Sequence, residues 1–288
     1  MKIVAGMGTI EEYEDYVKAG ADEVFVGYVP YAWQKEQERT NPLNRREVSY
    51  SNVNLGSESE LEILAKKMNR VGIPVTIAFN GLNYRPEQYL ILKDIVEKCI
   101  QYGFSDFIVG DLGLLIYLQQ AGLNQKVNIH ISGELGEMNN YQIAFLKELG
   151  AKRIIYHRGT GKRDLKEMIS AFPELEHEVF FMNEKCHFTG AYCNSLHCDE
   201  MVPMCRMPYW VEGMNNDAEN VDNSEKKPSG VDSYKTLKDM GVTHIKIVGR
   251  GANTDDMIRD ISTAATVRKC YNDSRECTLQ GDFYELDN

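Results

Sequence analysis

The 288-residue chain has no apolar run approaching the roughly 20 residues that a membrane-spanning helix needs. Its start, Met1-Lys2-Ile3-Val4-Ala5, turns polar too soon to be expected to act as a secretory leader and reads instead as a first strand. Both absences predict a cytoplasmic protein without a membrane partner. In that compartment the seven cysteines do not form a disulfide framework. Positive charge is short too, with 32 Lys and Arg against 43 Asp and Glu and a net charge of −11. Such a balance disfavours nucleic acid on bulk charge. The deficit is concentrated, however: residues 212–228 hold five acids to two bases, and residues 272–288 hold five to one. The remaining body is only mildly acidic, so charge does not exclude RNA. Hydrolase signatures are missing as well. There is no Gly-x-Ser-x-Gly, no His-Glu-x-x-His and no convincing Cys–His dyad, which weighs against a peptidase.

What is present is a repeat of helix end, glycine and short apolar strand. It occurs at Gly20 before Glu23–Val26, Gly72 before Pro74–Ala78, Gly103 before Asp106–Val109, Gly150 before Arg153–Tyr156 and Gly241 before His244–Val248. Glycine takes the left-handed position that ends a helix, and the apolar residues then make a parallel strand buried on both faces. Further strands are predicted at Lys2–Ala5, Val127–Ile131 and Glu178–Met182, making eight. Amphipathic helices are predicted at about 9–19, 58–70, 87–101, 112–121, 139–149, 163–171, 232–240 and 254–271. Strict alternation of eight units predicts a (β/α)8 TIM-barrel-like fold over residues 1–272, with an open doubly wound sheet as the alternative.

Three stretches break the alternation. Residues 28–56 form a long polar loop after the second strand, residues 184–230 an insertion after the seventh, and residues 273–288 an acidic C-terminal tail. Within the insertion, Gly213–Pro228 reads as mobile. The first two stretches leave the C-terminal ends of strands, where barrels carry their active sites. The insertion holds Cys186, Cys193, Cys198 and Cys205 in the spacing C-x6-C-x4-C-x6-C. Four thiolates on one loop suit a [4Fe–4S] cluster or a tetrahedral zinc ion. Structural zinc favours tight C-x2–4-C knuckles, which are lacking here, so the cluster is preferred and zinc stays as the alternative. His187 and His197 are lesser ligand candidates.

Several pieces, in order, resemble the peptidase U32 family of collagenase-like proteins. Lys2-Ile-Val-Ala-Gly-Met-Gly with Ala19-Gly-Ala-Asp-Glu-Val-Phe-Val-Gly27 is similar to its "LLAPAGN…AGADAVYxG" start. Asn128-Ile-His-Ile-Ser132 and Glu148–Ile155 resemble its "IHxSTQ…ELGxxRVVLAR". Glu178-Val-Phe180, Cys186, Cys193 and Cys205-Arg206 resemble its signature, and Ile245-Lys-Ile-Val-Gly-Arg250 its "FKIEGR". The chain departs from the pattern at Met182-Asn183, where the family has His-Gly, and at Val248, where it has Glu. The family's further cysteine after the mobile stretch is missing, and Cys198 is its replacement candidate. The resemblance implies a β/α barrel, a [4Fe–4S] cluster, and oxygen-independent hydroxylation of RNA bases or of the ubiquinone ring, with prephenate as a hydroxyl source in several members.

The expected function is therefore iron–sulfur oxidoreductase chemistry on an aromatic or nucleobase substrate. The alternatives are a non-catalytic partner subunit of such an enzyme, working beside a second family member, and a peptidase. Substrate contacts are expected from strand ends: Asn80, Asp111, His130, Glu134, His157, Arg158 and Arg250. The two arginines suit a carboxylate or phosphate. A small aromatic molecule, a peptide or RNA are all candidate substrates, with Arg39, Arg45 and Arg46 as a compact basic group for RNA. The segment Tyr28–Trp33 is expected to pack over the barrel mouth, or else to form a contact surface.

Overall fold

The computed structural model describes residues 1–33, 43–44, 53–182, 208–213, 218–221 and 233–272. Within them, parallel strands and helices alternate eight times. The strands are β1 (Lys2–Gly6), β2 (Glu23–Tyr28), β3 (Val75–Phe79), β4 (Asp106–Val109), β5 (Asn128–Ile131), β6 (Ala151–Ile155), β7 (Glu176–Phe180) and β8 (His244–Ile247). The helices are α1 (Glu12–Ala19), α2 (Glu58–Val71), α3 (Gln88–Gln101), α4 (Leu112–Gln120), α5 (Asn140–Glu148), α6 (Lys162–Ala171), α7 (Tyr234–Met240) and α8 (Thr254–Asn272). Each strand pairs with the next, and β8 returns to β1 through Lys2↔His244 and Ile3↔Ile245. The ring is closed, so the fold is the (β/α)8 barrel and not an open sheet.

The local signals act as their chemistry requires. Gly20 ends α1 at φ 116°, a conformation unfavourable for other residues, and a Cβ there would also lie 2.7 Å from Ala265 of α8. Ser57 and Glu60 form a capping box on α2, and Asn139 and Gln142 form another on α5. Outward strand residues such as Ile3, Val24, Ile77, Phe107, Ile129, Ile154 and Ile245 are sealed against Leu61, Leu92, Leu114, Ile143, Met168 and Ile261 of the helices. Truncating one such leucine to alanine costs about 2–5 kcal/mol.

Three expectations are corrected. β7 runs over Glu176–Phe180, two residues earlier than the apolar cue suggested. Its early residue His177 is polar but buried, bonded to Tyr156 Oη and to the Phe172 carbonyl, each at 2.9 Å. The long loop after β2 contains a short strand, Asn54–Leu55, paired parallel with the end of β2. In the stretch expected to be mobile, Ala218–Val221 pairs antiparallel with Tyr209–Glu212. The segment after β2 packs inward: Tyr28, Val29 and Trp33 are buried, Trp33 meets Tyr84 edge-on, and Tyr31 is exposed. The four clustered cysteines, His187, His197, the basic group Arg39, Arg45 and Arg46, and the acidic tail lie outside the described residues. No described helix is long and apolar enough to cross a membrane.

Candidate functional site

Alternation along a strand sends every second residue into the barrel. In this chain the inward positions of several strands are charged. Arg153 of β6 is the hub of the lower lumen. Its Nη1 donates to Glu23 Oε2 at 2.7 Å and to Glu178 Oε2 at 2.9 Å, and its Nε to Glu176 Oε2 at 2.8 Å. Lys246 Nζ donates to Glu178 Oε1 at 2.7 Å, and Lys2 Nζ to Glu23 Oε1 at 3.0 Å. Burial is the strongest single influence on Glu178 and pushes its carboxyl up, but Lys246 and Arg153 outweigh it and hold it at about 2. In Glu23 burial is likewise outweighed, by the bonds to His244 and Arg153, and its carboxyl stays well below the usual range. The two carboxylates are therefore held ionised and paired within the lumen, while burial lowers the Lys246 ammonium from its ordinary value.

An apolar tier also lies inside the barrel. Val4, Phe25, Ala78, Ile108 and Ile155 cluster there, with Phe180 and Val248 packed on them. The Phe25 ring carries Lys246 Nζ 3.7 Å from its centroid. The Phe180 ring carries the Arg158 guanidinium, with Cζ 3.9 Å from its centroid. Towards the C-terminal ends of the strands, Arg250 Nη1 donates to Asn54 Oδ1 at 2.9 Å and Nη2 to Asn44 Oδ1 at 3.0 Å, and Asn44 Nδ2 is anchored on the Ala78 carbonyl at 2.6 Å. Gly27 makes this cluster possible, because a Cβ there would lie 1.8 Å from Asn54 Oδ1 and 2.4 Å from Arg250 Nη1.

The predicted contacts divide by place. Asn80, His157, Arg158 and Arg250 follow β3, β6 and β8 at the barrel mouth, and Glu134 lies in a short 3-10 turn after β5. Asp111 also follows its strand, but its carboxylate caps α4 through Leu114 N and accepts from Tyr84 N and Tyr89 Oη, both at 3.2 Å. His130 points away from the rim: its Nε2 lies 3.3 Å from Asp106 Oδ1 at the start of β4, and burial lowers its pKa. Asn44, Asn54, Phe25, Phe180 and Lys246 were not among the substrate contacts expected from the sequence, although the last three lie within the motifs that carry the family resemblance. The last three sit on inward strand positions, a signal that alternation provides, whereas nothing local marks the two asparagines. Among the described residues no group of three His, Cys, Asp or Glu side chains could hold a metal ion. Cys99 is sealed in the core, where burial pushes its thiol up to about 12 and leaves it inert.

Comparison with known proteins gives a consistent picture. The model of peptidase family U32 matches residues 8–286. The tRNA hydroxylation protein P of Escherichia coli is 23% identical over 229 residues, 76% of this chain and 46% of that protein. The collagenase of Porphyromonas gingivalis is 22% identical over 307 residues, 99% of this chain and 67% of that protein. The chain thus spans about half the length of the tRNA hydroxylation protein it matches. Among solved structures, the U32 peptidase Mk0906 superposes with a TM-score of 0.54 at 11% identity, covering 87% of this chain and 93% of that one. The phosphoribosyl anthranilate isomerase of Thermus thermophilus does so at 0.52 and 7% identity, covering 93% of this chain and 100% of that one, a likeness of fold alone.

Proposed function

Because the chain belongs to peptidase family U32, we propose that it is an iron–sulfur protein whose barrel mouth takes an aromatic or nucleobase substrate for oxygen-independent hydroxylation or closely related redox chemistry. The observation that carries the reading is the likeness to a tRNA hydroxylation protein over 229 residues, joined to four cysteines between β7 and the Tyr209–Glu212 strand. Cys186, Cys193, Cys198 and Cys205 would hold a [4Fe–4S] cluster, with zinc as the alternative. The donor chemistry fits, since four thiolates are the donor set that an iron–sulfur cube or a tetrahedral zinc ion takes. The cluster, when bound, supplies electron transfer, and the protein supplies ligands and orientation. Arg158, set over Phe180, and Arg250, held by Asn44 and Asn54, would hold a carboxylate or phosphate of the substrate. Asn80, Glu134 and His157 would contact its polar edge, with Asp111 and His130 supporting from α4 and the lumen. A small aromatic molecule, a peptide or RNA stands as the substrate class, and the cytoplasm as the location.

A second reading, a non-catalytic subunit beside another family member, is favoured by one observation. Val248 occupies the position where the family pattern has Glu and packs into the apolar tier, which removes a polar group from the mouth. The peptidase reading suggested by the collagenase's name has less support: among the described residues no serine or cysteine hydrogen-bonds a histidine.

Anaerobic purification with iron and sulfide assay tests the cluster. A broad band near roughly 400 nm with about four irons per chain is expected, and Cys193→Ala should abolish it. A colourless protein with one zinc would overturn it. Turnover by the isolated chain, read as a gain of one oxygen in the product's mass, excludes the supporting role. Activity that survives removal of the cluster by a chelator would instead indicate a hydrolase.

A further inference from the structure

His157 follows β6 in the inward series Arg153, Ile155, His157, and it is only 8% exposed. Its Nδ1 accepts the Gly159 backbone N–H at 3.0 Å. A nitrogen that accepts carries no proton, so in the neutral ring the proton sits on Nε2. Among the described residues, that Nε2–H has no hydrogen-bond partner. The ring is buried, but this nitrogen is not among the sealed side-chain atoms that lack a partner, so it reaches solvent beyond the end of β6, where an oxygen of a ligand can take the place of water.

The same geometry decides what kind of ligand. A metal-bound histidine donates through its other ring nitrogen and binds through a bare one. Here the other nitrogen is an acceptor, so His157 is arranged as a donor and not as a ligand of the cluster. Gly159 leaves room for this contact: a Cβ at that position would lie 2.9 Å from Glu137 Oε1, the far end of a flexible side chain, and 3.1 Å from His157 Nδ1, so a larger residue would crowd the ring.

We propose that His157 is a specificity-determining residue of the mouth, offering a neutral Nε2–H to an oxygen acceptor, a ring carbonyl or phenolic oxygen, on the bound substrate. The proposal rests on the reading of the mouth as the substrate site. No covalent step is involved: the neutral imidazole keeps its proton and polarises the oxygen, a role that a fixed tautomer suits.

The experiment has two arms. Nitrogen-15 NMR of the full chain at pH 8, assigned with His157→Ala, reads the tautomer without any ligand. A bare Nδ1 and a protonated Nε2 are expected, and the opposite tautomer overturns the proposal while leaving the reading of the mouth intact. Calorimetry with uridine 5′-monophosphate and with 4-hydroxybenzoate then separates a nucleobase from a small aromatic ring. For whichever probe binds, His157→Ala should weaken affinity roughly five- to tenfold, and His157→Gln, which keeps an N–H donor, should restore most of it. Equal affinity in wild type and His157→Ala overturns the proposal alone. Failure of the wild type to take up either probe at millimolar concentration overturns both the proposal and the reading beneath it.

Discussion

Arg153 is the residue on which the lumen depends. It is 3% exposed and meets three carboxylates, Glu23, Glu176 and Glu178. Two of those acids are themselves buried, so removing the guanidinium strands negative charge where water cannot compensate. Arg153→Met should cost about 3–5 kcal/mol, read as a lower urea midpoint at neutral pH. Replacing Arg153 and Glu178 together by methionine should cost less than the two single changes added, because the pair shares one interaction. A single-variant loss below about 1 kcal/mol would show that water reaches the lumen and screens the acids. Lys246 sits in the same network with its ammonium against Phe25, linking the charged tier to the apolar tier.

At the scale of elements, the loop after β2 is tied into the mouth by its short strand and by Arg250. Asn54 pairs with Gly27 in register, and its side chain lies over the glycine to reach the arginine. Gly27→Ala should therefore displace both Asn54 and Arg250, lowering stability by about 1–3 kcal/mol. A crystal structure of the variant should show the 54–55 strand shifted from β2; a variant that keeps the Arg250–Asn54 bond at its present 2.9 Å refutes this account. The periodic elements were legible in the sequence because each carries its own signal. Gly20, Gly72, Gly103, Gly150 and Gly241 all take the positive φ that their position after a helix predicts, and all eight strands and helices lie where glycine and apolar spacing put them, β7 with an offset of two residues. The charged lumen was half legible: Glu23, Arg153, Glu178 and Lys246 stand on alternate positions of apolar strands, yet only closure of the barrel reveals that they meet. The Asn44–Asn54–Arg250 cluster was not legible, since it joins residues 206 and 196 positions apart and asparagine in a polar loop has no distinguishing local pattern.

For the whole molecule, these buried groups set how stability follows pH. His130 and His177 have pKa values pulled below their ordinary 6.5, in each case chiefly by burial. The unfolded chain therefore takes up protons near pH 6.5 that the native barrel refuses, and stability falls as pH drops through that value. Glu178, held at about 2 against an ordinary 4.5, acts in the same direction at lower pH. Its contribution is fully present above the unfolded value and is lost as pH falls towards the folded one, with Glu23 adding to it. Two limbs follow: a gentle loss beginning near pH 6.5 and a steeper one below about 4.5, each bounded by about 1.4 kcal/mol per pH unit for every proton taken up. Urea midpoints measured from pH 8 to pH 3 should trace both. The steep limb should change little with added salt, because the pairs lie inside the barrel beyond the reach of screening ions. His130→Asn should flatten the upper limb and weaken the lower one only slightly, since His130 is the smallest of the named influences that lower Glu178. A midpoint constant from pH 7 to pH 5 would mean that both histidines accept protons in the folded state, which the 2% exposure of His130 argues against, since burial outweighs the opposite pull of Asp106 beside it.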